Sequence, residues 1–413
     1  MPVTAPSVAS TRVARASQPA PSRRQPPRNF RTLGNVAVPV YEQEFWTSKQ
    51  RQANPLHEVS YRACFKAQLP AYFIERLTIT GDTVYDPFSG RGTTAVEAAL
   101  RGRDVIVNDV NPLCAILTRP RLEVPIVAEI DVRLRALRLT PKARRDLDLS
   151  MFYHPNTERE ILNLREYLHR RREDGTEDNI DRWIRMVATN RLTGHSPGFF
   201  SVYTLPPNQA VTPENQVKIN EKLGQKPQYR DVCALILRKS MQLQSAINAG
   251  DRWQLHRAAA SALFLEGEAD ATSAIPGDSV QLTVTSPPFL DVVQYARDNW
   301  LRCWFNGFDA EEIGTRITMS TTLEDWSDAM LAVMHELYRV TRPGGWVAFE
   351  VGEVRGGKIK LEETVAPLGL AAGFACEAIL INAQRFTKTA NIWGVQNNQL
   401  GTNSNRIVLF RKR

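Results

Sequence analysis

Cysteine is scarce. The five present, Cys64, Cys114, Cys233, Cys303 and Cys376, are scattered singly and odd in number. That spacing excludes a disulfide framework and offers no paired ligands for a structural zinc, so the thiols read as buried or idle. His154, His169, His256 and His335 likewise lack partners at metal-ligand spacing, and no metal is expected. Long apolar runs are missing too: nothing reaches the roughly 18 consecutive apolar residues of a membrane helix. No apolar segment follows Arg23-Arg24 as a secretory or twin-arginine signal requires, so the expectation is an intracellular chain without a membrane partner. Acidic residues are absent before Glu42.

That last absence defines a segment. Residues 1–33 are rich in Pro, Ser and Ala, carry six arginines, and cannot build a core, so they read as a disordered basic tail. The whole 413-residue chain is +8. The tail contributes +6 and residues 121–260 another +6, which leaves about −4 for the remainder. Positive charge is thus concentrated in the tail and in 121–260, as expected if these face a phosphate backbone. With 43% hydrophobic residues the chain can bury one large core with an appended lobe.

Two stretches carry chemistry. Val280 to Val284 reads as a core strand that ends abruptly in Thr285-Ser286-Pro287-Pro288-Phe289. Paired prolines cannot continue a hydrogen-bonded ladder, so a strand delivers rigid acceptors and an aromatic face to its own carboxyl end. Such a site suits a planar, amine-bearing ring: Ser286 and the Pro287 carbonyl accept from the amine, and Phe289 stacks on the ring. Upstream, a short apolar strand runs into Asp86-Pro87-Phe88-Ser89-Gly90-Arg91-Gly92-Thr93-Thr94 and then a helix former, Ala95 to Leu100. Gly90 and Gly92 would let backbone approach a ligand closely. A second strand, Asp104 to Val107, ends in Asn108-Asp109, where the acid could take both hydroxyls of a ribose. The pattern is a nucleoside-binding βαβ unit. It lacks the third glycine of a dinucleotide fingerprint.

Together, Asp86-Pro-Phe-Ser-Gly-Arg-Gly-Thr and Thr285-Ser-Pro-Pro-Phe resemble the amino-methylating DNA methyltransferases that use S-adenosylmethionine. Within that family the Ser-Pro-Pro form implies transfer to N4 of cytosine, with Ser286, Pro287, Pro288 and Phe289 catalytic. The resemblance implies cofactor contacts from Asp86, Phe88, Gly90, Gly92, Asp109 and Glu268, with Asp270 as the alternative to Glu268, and from Tyr61 and Phe65 in a segment that closes over the methionine end. Lys66 is carried over with them. It further implies double-stranded DNA as partner, allows for a cognate restriction endonuclease, and suits a cytoplasmic protein, nucleoid-associated if bacterial. No cysteine stands in a Pro-Cys nucleophile pattern, which counts against methylation at ring carbon 5.

The expected fold class is α/β: a doubly wound, mostly parallel, Rossmann-like methyltransferase sheet with a largely helical inserted lobe. Residues 34–120 form the first part of the core, 121–260 the inserted target-recognition lobe, and 261–413 the second part of the core. In the insert, helical spacing is expected over Ile130 to Leu139, Glu158 to His169, Trp183 to Val187 and Tyr229 to Ile247, with Arg170, Arg171 and Arg172 as a solvated face or a phosphate contact. The Gly- and Pro-punctuated stretch from Asn190 to Pro207 carries Asn190, Arg191, His195 and Ser196 as candidates to read bases or phosphates. Phe199 and Phe200 are candidates to fill the gap of a displaced base. A packed lid without base contact is the competing reading. Asn391 to Asn405 suits a turn between the last two strands. Other functions compatible with the same pattern are N6-adenine methylation, RNA base methylation, and a catalytically silent nucleic-acid-binding subunit.

Overall fold

The structure, a computed structural model, describes residues 27, 29–33, 36–46, 53–62, 64–137, 145–205, 210–288, 295–317, 322–354, 359–383 and 404–413. The strands are β1 (Asn29–Leu33), β2 (Val36–Gln43), β3 (Thr83–Asp86), β4 (Asp104–Asn108), β5 (Leu263–Leu265), β6 (Val280–Thr285), β7 (Thr341–Val351), β8 (Glu353–Val354), β9 (Ile359–Lys360), β10 (Ala375–Ala383) and β11 (Ser404–Arg411). All but the β8–β9 hairpin join one nine-stranded sheet in the order β1-β2-β10-β11-β7-β6-β3-β4-β5. The run from β7 through β6, β3 and β4 to β5 is parallel, and β2 is parallel to β10. Within this sheet, among the described residues, only β1 and β11 run against the common direction.

After β3 the chain moves outward to β4 and β5, then returns to β3's other side for β6 and β7. Connections therefore diverge between β3 and β6, and their carboxyl ends border the crevice where such sheets bind ligands. Both motifs end there.

Side chains alternate between two cores because successive strand residues point to opposite faces. Val84, Ala348, Leu380 and Ile407 enter one core; Tyr85, Phe349, Ile379 and Val408 enter the other. The first face is covered by α1 (Gln68–Leu77), α2 (Thr93–Leu100) and α3 (Leu113–Leu122), whose buried residues share a cluster with the middle of the chain. That middle is helical: α4 (Val127–Arg135), α5 (Pro155–Glu173), α6 (Asn179–Thr189), α7 (Pro213–Leu223), α8 (Val232–Gln244) and α9 (Ala249–Ser261). Beyond β6 come α10 (Tyr295–Asn306), α11 (Ala310–Arg316), α12 (Leu323–Val340) and α13 (Leu361–Ala371), and the last two supply Trp326, Leu337 and Val365 to the second core.

Several expectations need correction. Residues 29–33, assigned to the tail, form β1, which pairs with β2 so that Leu33 faces Val36 across a two-residue connection. Phe30 is exposed there, so the aromatic of β1 adds nothing to the core, and composition alone could not reveal the strand. Helix α4 ends at Arg135, short of Leu139, while α5 continues through Arg172. Helix α9 has weak apolar periodicity, but the Asn248–Asp251 capping box was its readable start signal. Positions 391–403 of the polar turn lie outside the described residues.

Candidate active site

The carboxyl ends of β3 and β6 are tied directly. Thr285 Oγ1 donates to Asp86 Oδ1 at 2.6 Å, and the Phe88 amide donates to the same oxygen at 3.3 Å. Asp86 is buried, and burial, aided by repulsion from Asp109, pushes its carboxyl up to about 7 against these hydrogen bonds. At the next level Thr94 Oγ1, in the first turn of α2, donates to the Val284 carbonyl at 3.0 Å. Asn108 closes the other side, its amide donating to the carbonyls of Pro87 (3.2 Å) and Gly267 (2.8 Å). Three strand ends thus surround one cavity.

That cavity is an open cleft of about 630 Å³, counting the solvent at its mouth. Of the expected residues, Tyr61, Phe88, Gly90, Asp109, Glu268, Ser286 and Pro288 line it. Asp109 Oδ2 accepts from the Gly90 amide at 2.7 Å and Oδ1 from the Asn111 amide at 2.9 Å. A carboxylate has about four lone-pair positions, so two remain for a ligand diol. Burial raises its carboxyl to about 6, offset in part by those two amides. Glu268 is exposed at the rim, its carboxyl raised by burial of the charged form and by Asp270.

Three expected residues do other work. Asp86 sits beneath the cavity and joins strands rather than lining it. Gly92 has φ 70, and a Cβ there would lie 2.2 Å from Thr118 Oγ1, so its role is the close packing of α2 on α3. Phe65 is partly buried against the first core and does not line the cavity. Lys66 does not line it either; its ammonium is shifted down by burial. Phe289 lies outside the described residues.

The Ser286-Pro287-Pro288 segment is anchored from α12. Trp326 of α12, buried, donates its indole N–H to the Pro288 carbonyl at 2.9 Å. Glu350, a buried carboxylate near the end of β7, accepts from Asn405 at 3.0 Å, and the nearby Ser286 hydroxyl favours its charged form. Burial raises the Glu350 carboxyl above the ordinary range. Sequence reasoning missed Glu350, along with Arg62, Cys64, Asn111 and Ile317 of the cavity wall. Glu350 sits in an otherwise apolar strand, Trp346 to Val351, and an acid where a core residue belongs was the available signal.

The stretch after α6 divides. Asn190 is buried, accepting from the Ser60 amide at 2.9 Å and donating to the Met186 carbonyl at 3.3 Å. Arg191 is buried over the Phe199 ring, 4.0 Å from its centroid, and burial lowers its guanidinium to about 10. Phe200 is fully inside the first core. Among these candidates only His195 and Ser196 are exposed, at the tip. Asn190, Phe199 and Phe200 are therefore packing residues in this structure, because aromatic side chains in a Gly-rich turn fold back on the turn: a Cβ on Gly194 would meet the Phe199 ring at 2.4 Å.

Residues 16–116 match the model of a DNA methylase family. The match spans Tyr61, Asp86, Gly90, Gly92 and Asp109 and stops well before Ser286. No curated protein has a significant match to the chain. Among solved structures, a DNA modification methylase from Thermus thermophilus, complexed with S-adenosyl-L-methionine, aligns at 21% identity over 35% of this chain and 53% of that chain, with a TM-score of 0.24. The rRNA methyltransferase AviRa from Streptomyces viridochromogenes aligns at 13% identity over 89% of this chain and 96% of that one, TM-score 0.36. A TehB-like SAM-dependent methyltransferase from Corynebacterium glutamicum aligns at 8% identity over 83% and 87%, TM-score 0.32. The chain spans about half the length of the Thermus protein.

Proposed function

We propose that this chain is a DNA methyltransferase that uses S-adenosylmethionine and acts on N4 of a cytosine turned out of double-stranded DNA. One observation carries the reading: Ser286 lines the same cavity as Asp109 and Glu268. The match of residues 16–116 to a DNA methylase family supports it.

The cavity fits the cofactor on its donor set. Asp109 keeps acceptor capacity for a ribose diol, Glu268 stands where an amino group could be accepted, and Phe88 and Tyr61 offer ring faces. When bound, S-adenosylmethionine supplies a methyl group activated by a sulfonium, which needs no metal.

The remaining chemistry belongs to the chain. An exocyclic amine on a pyrimidine is a poor nucleophile because its lone pair is delocalised into the ring. Ser286 Oγ, at the cavity wall, presents lone pairs to one N–H, and we assign the other to the carbonyl of Pro287, a buried residue that does not itself line the cavity. Trp326 occupies the Pro288 carbonyl, so that acceptor is not in competition. Once alkylated, the nitrogen must lose a proton. Ser286 Oγ takes it while passing its own to Glu350, whose raised affinity for protons suits the task.

Incubation of duplex DNA with the protein and S-adenosylmethionine, followed by digestion and mass spectrometry of the nucleosides, tests the proposal. N4-methylcytosine is expected, with loss of at least about 10²-fold in rate for Ser286→Ala. N6-methyladenine as the sole product would overturn the base assignment. No methylated nucleoside, and no cofactor binding by calorimetry, would overturn the activity.

A further inference from the structure

Arg170, Arg171 and Arg172 close α5, and the structure treats them differently. Arg170 pairs with Glu166 at 3.0 Å, and Arg171 pairs with Asp181 at 2.8 Å. Among the described residues Arg172 has no carboxylate partner; its guanidinium lies over the Phe308 ring, 5.3 Å from the centroid, and it lines a groove of about 620 Å³ between α3, α5 and α6.

Arg119, Arg182 and Arg185 line the same groove, where Glu177 is the single carboxylate among the described residues and Ala115, Ile116 and Pro120 make the apolar part. Two of these arginines are neutralised locally: Arg182 by Glu123 at 2.6 Å and Arg185 by Glu177 at 2.6 Å. Arg119 instead lies over the Phe264 ring at 4.5 Å and has no carboxylate partner among the described residues. Arg172 and Arg119 therefore leave a surplus of two positive charges.

A second observation points to a ligand. The Arg185 side chain is buried, its Nε donates to Glu177 at 2.7 Å and its Nη2 to the Leu168 carbonyl at 2.7 Å, yet its Nη1 has no acceptor. A buried donor of this kind is costly unless something accepts from it. An anion in the groove would, while balancing the two free guanidiniums that favour phosphate geometry.

We propose that this groove is a phosphate-binding site, formed by Arg119, Arg172 and Arg185 Nη1, that takes one phosphodiester of the nucleic-acid substrate. The source of the phosphate rests on the DNA reading above; the phosphate chemistry does not. Arg119 lies eight residues beyond Asn111, or about 12 Å along a helical rise, so the groove stands apart from the cofactor cavity.

The test uses the full chain carrying Arg119→Gln and Arg172→Gln together, leaving buried Arg185 in place. Duplex affinity is measured across a salt series, and thermal midpoints are measured with and without inorganic phosphate. The expected result is a log-affinity against log-salt slope shallower by about 0.9, loss of the phosphate-induced stabilisation, and unchanged cofactor affinity. An unchanged slope with lost phosphate stabilisation would overturn the backbone as source and keep a site for free phosphate. If the wild-type chain binds no duplex yet responds to phosphate only with both arginines intact, the nucleic-acid reading fails and the site stands. If neither readout changes, the site is overturned.

Discussion

Thr285 and Asp86 meet at 2.6 Å, hydroxyl to carboxylate, and that side-chain hydrogen bond ties the carboxyl ends of two strands already paired in the sheet, the two that carry the motifs. Asp86 is buried beneath the cavity, so its ionisation bears on stability and on the shape of the strand ends rather than on contact with a ligand.

Asp86→Asn should raise stability at pH 8 and leave it little changed at pH 4. The folded carboxyl is raised from 3.8 to about 7, so the native state holds the proton longer than the unfolded chain. Ionisation therefore removes stability as pH rises through that window, by at most about 4 kcal/mol at 1.36 per unit. Thermal midpoints of both proteins from pH 4 to pH 8 check it. A gap that does not widen with pH would mean that this carboxyl does not titrate with folding.

Glu350→Gln should lower the chemical step by about 10²-fold or more. The wild-type rate should fall as pH drops through the raised value of Glu350, because protonation removes the acceptor for the Ser286 proton. The variant should lack that acid limb. Single-turnover rates across pH decide, and an identical limb in the variant would assign it to another group.

Asp109→Ala should weaken cofactor binding at least tenfold, since each hydrogen bond to the charged carboxylate contributes about 1.5–3 kcal/mol and the Gly90 and Asn111 amides lose their acceptor as well. Calorimetry with S-adenosylmethionine measures it. Unchanged affinity in a folded variant would place the ribose elsewhere.

Gly92→Ala should destabilise the fold by about 1–3 kcal/mol or more, because the residue has φ 70 and a Cβ would collide with Thr118. Cofactor affinity, measured below the transition, should change far less than in Asp109→Ala. The opposite ranking would return Gly92 to the cavity wall.

Trp326→Phe should keep the second core filled and release the Pro288 carbonyl. The expected outcome is a loss in kcat with cofactor affinity retained, read from steady-state kinetics alongside calorimetry. Equal loss in both would make Trp326 a general packing residue.

The parallel core strands and both strand-end motifs were legible because their signals are local: apolar runs of strand length, broken by Pro-Pro or by Gly-x-Gly, announce themselves over a few residues. The same local logic placed Ser286, Gly90 and Asp109 at carboxyl ends, where parallel sheets bind ligands. Glu350 was not legible, because it reaches Ser286 only through the β6–β7 register that sets Thr285 beside Phe349. The arginines divided for the same reason. Arg171 and Arg172 are neighbours of one type, and only the folding of Asp181 against one of them left the other facing a groove. Burial decided Asn190 and Phe200, whose composition suited a recognition loop equally well. Sequence determines what a segment can do locally, while non-local strand register and helix packing decide which polar side chains are consumed by the fold and which remain for a ligand.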